Sequence, residues 1–144
     1  MQTFLPYADF DKSVHCLDRQ RLGKQRVEAM QIINTLTRGS RWANHPAVLM
    51  WRGYDNALRL YMNKCISEWI RRGYNNTMQI AEITESVEMP PWFGDEKFHA
   101  SHRSNLLRKD VKWYKQFGWS ETDQLPYVWP VRKDDADPLR IELD

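Results

Sequence analysis

Apolar residues recur every three or four positions through the first half of the chain, which is the pattern of amphipathic helices. The first helix is predicted over Val14–Leu36, and Gly39 is expected to end it. Four apolar side chains fall within about 40° of one another on its helical wheel, namely Leu22, Ala29, Ile33 and Leu36. We expect this face to be buried.

A second, longer helix of roughly 27 residues is predicted from the same spacing. Asn44 can cap it, Pro46 is tolerated in its first turn, and Arg71-Arg72-Gly73 is a common helix end. One face carries apolar or thiol side chains at steps of three and four: Ala47, Trp51, Tyr54, Leu58, Tyr61, Cys65 and Trp69. This helix is expected to be the centre of the core.

The second half of the chain shows shorter elements and weak strand signals. The pattern predicts a short helix at Thr77–Glu85, a loop at Met89–Gly94, a third main helix capped by Asp95 and ending near Lys109, a final turn or two at Asp110–Phe117, and an extended acidic tail at 119–144. The expected fold is therefore all-α, a single domain over residues 1–144 with three main helices, short helices and a C-terminal tail.

Length and composition exclude several classes of protein. The 144 residues can bury one core without disulfides, and Cys16 and Cys65 form neither a disulfide framework nor a zinc set. No charged-then-apolar leader is seen, and the longest apolar run, near Pro46–Trp51, is too short to span a bilayer. The sequence favours a cytoplasmic monomer. It contains no P-loop, dinucleotide-binding or esterase motif, so no cofactor is expected.

The net charge of +2 conceals strong segregation of charge. Residues 19–72 carry eleven Lys/Arg against three Asp/Glu, and residues 97–115 carry six against one. The segments 1–18, 73–96 and 116–144 are acidic. Two basic blocks on a nearly neutral body fit a phosphate-bearing partner, or else ordinary solvated helix faces. The first interpretation requires the two blocks to meet at one cleft.

Arg26 is out of place on the first helix, because it lies about 40° from Leu22, inside the apolar face. Asp18, Arg19 and Gln25 flank the same face. Buried guanidinium groups need partners, so Arg26 is either part of a structural ion pair or a phosphate ligand in a cleft. The opposite face carries Arg21, Lys24 and Glu28, a set typical of a surface ion-pair row.

The predicted third helix places His99, His102, Arg103 and Leu106 on one face. Two histidines three residues apart can bind a metal, but no third ligand stands at suitable spacing, so no metal site is expected. The histidines remain candidates for proton transfer or phosphate binding, with capping and packing as the structural alternative. Downstream, Lys112, Trp113, Tyr114 and Lys115 alternate rings with cations, which suits either base stacking or a core cluster.

Three segments resemble the pyrimidine-dimer DNA glycosylases, the phage endonuclease V type of repair enzyme. Leu17–Val27 is similar to the family's first-helix Leu…Arg-Val segment without a gap, and Arg71–Asn75 is similar to a Lys-Arg-Gly-Phe-Asn helix end. Trp113–Gly118 resembles the family's Trp-Tyr-Lys-Tyr-Tyr-Gly motif most specifically. The expected three-helix architecture also agrees.

The resemblance implies a glycosylase that also nicks the strand beside the abasic site. In that family an N-terminal α-amine attacks the sugar, expels the base and forms a Schiff base that allows β-elimination. An α-amine suits this step because it is less basic than a lysine side chain. A helix-one glutamate assists, arginines hold the phosphates of a kinked duplex, and no metal or cofactor takes part. The partner is damaged duplex DNA.

Carried over residue by residue, the family pattern meets two departures. Gln2 stands at the position of the nucleophilic threonine, and Met1 is expected to remain because its removal needs a small second residue. Gly23 stands at the position of the catalytic glutamate. The nearest helix-one glutamate, Glu28, lies about 140° from Gly23 on the wheel, so Asp18 or a residue from elsewhere would have to replace it. Arg26 matches a family arginine at the site.

The candidate catalytic residues are therefore Met1, Gln2, Arg26 and His102. The candidate nucleic-acid-binding residues are Arg19, Arg26, His99, Arg103, Lys112, Trp113, Tyr114 and Lys115. Two alternatives to the glycosylase–lyase stay open. One is divergent chemistry at a phosphate site of His99, His102 and Arg103, and the other is a DNA-binding module without catalysis.

Overall fold

The computed structural model describes residues 1–132 and 139–143, the second range and Arg132 by backbone alone. The chain is mostly helical, which confirms the predicted all-α class. The helices are α1 (Phe10–Cys16), α2 (Arg19–Arg38), α3 (Pro46–Leu49), α4 (Asp55–Arg71), α5 (Glu96–Lys109) and α6 (Val111–Tyr114), followed by a 3₁₀ turn at Lys115–Phe117. None of the helices in these ranges is long and apolar enough to cross a membrane.

The predicted first helix is interrupted at Leu17 and Asp18, so α1 and α2 are separate elements. Asp18 has extended backbone and caps α2, because its carboxylate accepts from the Arg21 amide nitrogen at 3.4 Å. The Tyr114 hydroxyl accepts from the Asp18 amide nitrogen at 3.0 Å and donates to its carboxylate. A tertiary contact from the far end of the chain therefore sets this boundary. Gly39 ends α2 as predicted.

The predicted long helix is also divided, into α3 and α4. His45 rather than Asn44 caps α3, since its Nδ1 accepts from the Ala47 amide nitrogen at 3.0 Å. After α3 the chain turns through Gly53, whose φ of 85° strongly favours glycine. This turn accompanies full burial of Trp51. The end of α4 at Arg71, followed by Gly73, agrees with the sequence.

No helix forms at Thr77–Glu85, so that prediction was wrong. The segment is extended along α4, where the Asn63 side chain donates to the Ala81 carbonyl at 2.9 Å and accepts from the Ala81 amide nitrogen at 2.8 Å. Paired hydrogen bonds from one side chain to both backbone polar groups of Ala81 replace the local bonds of a helix.

The core lies between α2 and α4, the pair of helices in most extensive contact. Leu22, Ala29 and Ile32 of α2 face Leu58 and Tyr61 of α4, and all five are fully buried. The third main helix, α5, begins after Asp95, whose carboxylate accepts from the Lys97 amide nitrogen. The cap and both ends of α5 agree with the sequence.

Beyond Gly118 the chain has no helix within the described residues. Two strands, β1 (Val128–Arg132) and β2 (Leu139–Leu143), pair antiparallel with Val128 opposite Leu143 and Arg132 opposite Leu139. The tail predicted at 119–144 is therefore partly a hairpin, and its residues 133–138 and 144 lie outside the described residues.

Candidate active site

The first five residues run through the protein interior in extended form. Thr3 and Leu5 are fully buried, and Gln2 and Phe4 nearly so. The Thr3 hydroxyl accepts from the Trp51 indole nitrogen at 3.0 Å. A buried extended segment needs side-chain partners for its backbone polar groups, and those partners explain several residues singled out above.

Gln25 of α2 binds this segment with both ends of its side-chain amide. Its Oε1 accepts from the Phe4 amide nitrogen at 2.8 Å, and its Nε2 donates to the Gln2 carbonyl at 2.9 Å. The Tyr61 hydroxyl lies 2.7 Å from the same Oε1. Gln25 is 1% exposed, so loss of its side chain would leave two backbone groups unpaired in the core.

The two α5 histidines hold the next residue, Leu5. The Leu5 amide nitrogen donates to His102 Nδ1 at 2.9 Å, and His99 Nδ1 donates to the Leu5 carbonyl at 2.7 Å. His99 Nε2 accepts from the Gly94 amide nitrogen, which fixes its tautomer. Burial lowers the pKa of both rings, that of His102 to about 3. Both rings are therefore neutral near pH 7 and act here as hydrogen-bonding partners of the backbone.

Arg103 and Tyr114 also have structural partners. The Arg103 guanidinium donates to the Pro6 carbonyl at 2.8 Å and pairs with Glu121 and Glu96. Burial lowers the pKa of Arg103, but the two carboxylates outweigh burial and raise it. Tyr114 is fully buried against Asp18. Arg103 therefore holds the chain just after the N-terminal segment, and Tyr114 holds the start of α2.

The N-terminal segment leads to a hollow of about 320 Å³, which we call the Met1 pocket. Its lining consists of Met1, Gln2, Phe4, Gln20, Arg21, Lys24, Gln25, Glu28, His45, Lys109, Tyr127 and Trp129. The polar face of α2 forms one wall, and aromatic side chains from the N-terminal segment and β1 form another. Of the candidate catalytic residues, Met1 and Gln2 lie here, whereas Arg26 and His102 lie elsewhere.

Glu28 contributes a carboxylate to the Met1 pocket. Its Oε2 accepts from Gln25 Nε2 at 2.9 Å, and the same nitrogen donates to the Gln2 carbonyl. Glu28 is thus two hydrogen bonds from the backbone of residue 2. The helical wheel placed Glu28 correctly relative to Gly23, but the N-terminal segment lies on the Glu28 face of α2. Sequence reasoning missed Glu28 because nothing local indicated where residues 1–5 run.

The two basic blocks of the sequence meet at this pocket, as the nucleic-acid interpretation required. Arg21 and Lys24 come from the first block and Lys109 from the second. Burial, followed by the nearby Arg21, Arg108 and Lys24 charges, lowers the pKa of Lys109. Arg21 also pairs with Asp18 at 3.2 Å. The lining still has three cationic side chains against one carboxylate, that of Glu28, which suits an anion.

Arg26 and Arg19 lie on a neighbouring face, stacked on aromatic rings. The Arg26 guanidinium carbon is 4.2 Å from the centre of the Trp69 ring, and that of Arg19 is 4.8 Å from the centre of Tyr74. The two rings are 4.5 Å apart. Arg26 also donates to Asn76 Oδ1 at 2.9 Å, and burial lowers its pKa. Cation–π contacts explain how an arginine is tolerated in the apolar face.

A second hollow of about 850 Å³, the Trp groove, lies between Trp69 and Trp113. Gly23 and Val27 line it, and it shares Gln20, Lys24 and Glu28 with the Met1 pocket. Arg19 and Trp113, two of the candidate nucleic-acid-binding residues, are in this lining. Lys112 and Lys115 are exposed nearby in the sequence. Within the described residues, no group of three or more metal-ligating side chains comes together.

The fold and these hollows define a helical protein with a cationic cleft built around its own N-terminal segment. Residues 1–82 match the sequence profile of the family described as pyrimidine dimer DNA glycosylase, and the chain belongs to that family. Membership supports a pyrimidine dimer DNA glycosylase-like function with DNA as substrate. No curated protein and no solved structure matches the chain.

Proposed function

We propose that the protein is a DNA glycosylase with abasic-site lyase activity, whose nucleophile is the α-amine of Met1 and whose assisting carboxylate is Glu28. The substrate is damaged duplex DNA, bound by a single copy of the chain. The observation that carries the proposal is the burial of residues 2–5, which directs Met1 into a cationic pocket that also contains Glu28.

The proposed reaction requires an amine and a group that exchanges protons. The neutral amine attacks the sugar C1′, the bond from C1′ to the base breaks, and the base leaves with that electron pair and a proton. Ring opening gives an iminium between the amine and C1′. Removal of a C2′ proton then expels the 3′ phosphate, and water releases the sugar from the amine. The steps balance without an oxidant, reductant or metal.

Five polar residues of the Met1 pocket have a role in this scheme. Glu28 is suited to protonate the opening sugar oxygen and to accept the C2′ proton, which are ordinary acid–base tasks for a carboxyl group. Arg21, Lys24 and Lys109 would bind the phosphates on either side. Gln25 is a positioning residue, because it holds both the Gln2 carbonyl and the Glu28 carboxylate.

The decisive experiment is reductive trapping. The purified chain is mixed with a duplex oligonucleotide carrying one abasic site, or with UV-irradiated duplex, and treated with borohydride. A covalent protein–DNA adduct is expected, and mass spectrometry of its N-terminal peptide should find the sugar on Met1. Binding without an adduct would instead support the DNA-binding module without catalysis.

A blocked N-terminus separates the amine from other nucleophiles. A chain acetylated at the α-amine of Met1 should still bind DNA but give no adduct. If the acetylated chain is trapped equally well, the α-amine of Met1 is not the nucleophile. Lys24 and Lys109 are the other amines in the pocket lining, and separate Lys24→Ala and Lys109→Ala variants would then show which of them reacts.

Substitution of the carboxylate tests the second assignment. Glu28→Gln preserves an acceptor for Gln25 but removes the proton-transfer group, so adduct formation should slow by about 10²-fold or more. Glu82→Gln, at an exposed position outside the pocket, is the matched control and should react like the parent chain. Equal rates for Glu28→Gln and the parent would remove Glu28 from the mechanism.

A further inference from the structure

Trp42 is a large apolar side chain without a place in the core. It is 43% exposed and lies in the turn between α2 and α3. Among the described residues, the partly buried hydrophobic side chains that pack against the core do not include Trp42. Its burial cannot account for its presence at this position, because so much of its ring remains in water.

The turn that carries Trp42 is held firmly. Ser40 Oγ accepts from the Trp42 amide nitrogen at 3.1 Å and lies 2.9 Å from Thr35 Oγ1 at the end of α2. The Ala43 amide nitrogen donates to the Ser40 carbonyl, and the His45 amide nitrogen donates to the Trp42 carbonyl. The Trp42 ring therefore extends from a short turn whose backbone is fixed by hydrogen bonds.

Trp42 is also linked to the Met1 pocket by ring contacts. The rings of Trp42 and His45 are 6.1 Å apart and nearly perpendicular, and those of His45 and Trp129 are 5.9 Å apart. His45 and Trp129 both line the pocket. Arg41 lies over Trp42 at 5.0 Å, so an exposed ring and a cation stand together at the edge of the proposed reaction site.

We propose that Trp42 inserts into the base stack of the DNA duplex beside the nucleotide whose sugar reaches Met1. This inference rests on the proposed function and adds to it a residue that positions the DNA. An apolar side chain that enters a base stack acts as a wedge, because it unstacks the duplex at that step. Arg41, which lies over the Trp42 ring, offers a positive charge to the neighbouring backbone.

The first test measures unstacking without chemistry. A duplex carries a tetrahydrofuran abasic analogue, which cannot form a Schiff base, with 2-aminopurine next to it as a fluorescent reporter of stacking. The parent chain should raise the 2-aminopurine fluorescence, Trp42→Ala should lose most of that rise, and Trp42→Phe should keep part of it. Ile80→Ala, which removes an exposed apolar side chain elsewhere, should behave like the parent.

The second test compares trapping on two substrates. In single-stranded abasic DNA no duplex has to be opened, so Trp42→Ala should form adduct within about twofold of the parent rate. On the duplex it should be slower by about tenfold or more. Equal slowing on both substrates would make Trp42 a general binding residue and overturn the wedge.

The two proposals fail in different ways. If the parent chain forms no adduct on either substrate, but its 2-aminopurine response depends on Trp42, the proposed lyase mechanism is wrong and the insertion of Trp42 is supported. If the parent traps abasic DNA but gives no fluorescence rise, or if Trp42→Ala matches it in both tests, the wedge is overturned and the chemistry stands.

Discussion

At the scale of single residues, Gly23 is the most informative departure from the family pattern. A Cβ built on Gly23 would lie 3.0 and 3.1 Å from two atoms of the Trp69 ring. That ring is held by Arg26 and by Tyr74, and its Nε1 donates to the Asn75 carbonyl at 2.7 Å. Trp69 thus occupies the space in which a side chain at position 23 would begin.

The crowding predicts that Gly23→Ala destabilises the parent protein but stabilises a variant in which Trp69 is replaced by leucine. Alanine in place of glycine normally stabilises a helix by about 1 kcal/mol, but Gly23→Ala should lower the free energy of unfolding by about 1 kcal/mol because of overpacking against Trp69. In the Trp69→Leu background the same substitution should raise it. Urea unfolding of the four proteins measures both effects, and a stabilising Gly23→Ala in the parent would show that the ring yields easily.

His102 predicts a dependence of stability on pH. Its pKa is about 3 in the folded protein because of burial, against an ordinary value of 6.5, so below pH 6.5 the unfolded chain binds one proton more. As the pH is lowered from 6.5 towards 3, the free energy of unfolding should therefore fall by about 1.4 kcal/mol per pH unit because of His102 alone. The lowered pKa of His99 acts in the same direction.

The His102→Asn variant isolates this effect, because the Asn side-chain oxygen can still accept from the Leu5 amide nitrogen. Urea unfolding between pH 6.5 and 5 should show a shallower decline for the variant than for the parent, by about 2 kcal/mol over that range. Burial raises the pKa of the Glu68 carboxyl, but its hydrogen bonds with Arg71 and Arg72 outweigh burial and lower that pKa to about 2. Glu68 therefore contributes little to the slope above pH 4.5. Parallel pH profiles would contradict the assignment.

At the scale of elements, helix ends that depend on local signals could be predicted, and helix interruptions could not. Gly39, Gly73 and Asp95 act within their own turns, and the sequence alone places them. The break at Asp18 depends on hydrogen bonds with the hydroxyl of Tyr114, 96 residues away, which accepts from the Asp18 amide nitrogen and donates to the Asp18 carboxylate. The segment near Ala81 depends on Asn63. Helical periodicity cannot include partners so distant along the chain.

The candidate site shows the same division. The first residues and the cationic character of α2 could be predicted from the family pattern and the charge blocks. Glu28 and Gln25 could not, because their importance comes from a five-residue segment whose path is set by contacts with α4 and α5. His99 and His102 were recognised as unusual for a correct reason, since they share a buried face. In the structure, however, both histidines bind the backbone of Leu5.

At the scale of the whole molecule, the positions of the charged side chains matter more than the net charge. The net charge is +2, yet Arg21, Lys24 and Lys109 surround one pocket. Glu28 lies in the pocket and Asp18 pairs with Arg21 beside it, while other acidic residues are paired away from it. Asp11 lies 3.0 Å from Lys64, and Glu68 lies 2.7 Å from Arg71, beside a hollow that Asp11 and Glu68 share.

This arrangement predicts which lysines affect the salt dependence of DNA binding. Each phosphate contact contributes about 0.9 to the slope of log affinity against log salt. Replacing Lys24 and Lys109 together with alanine should therefore reduce the slope by about 1 to 2. Lys64→Ala, whose ammonium group is paired with Asp11, is the control and should leave the slope unchanged. Fluorescence anisotropy between about 50 and 200 mM salt measures it, and an unchanged slope in the double variant would place the DNA elsewhere.

The buried N-terminal segment also has to wait for its partners during synthesis of the chain. Leu5 is bound by His102 and Pro6 by Arg103, in each case across 97 positions of the chain. At the usual pace of translation, roughly 5 to 20 residues per second, the partners follow after roughly 5 to 20 s. Until α5 has left the ribosome, Met1 is an ordinary chain end with no pocket around it. On the proposed mechanism, a nascent chain therefore has no assembled reaction site until most of its sequence has been made.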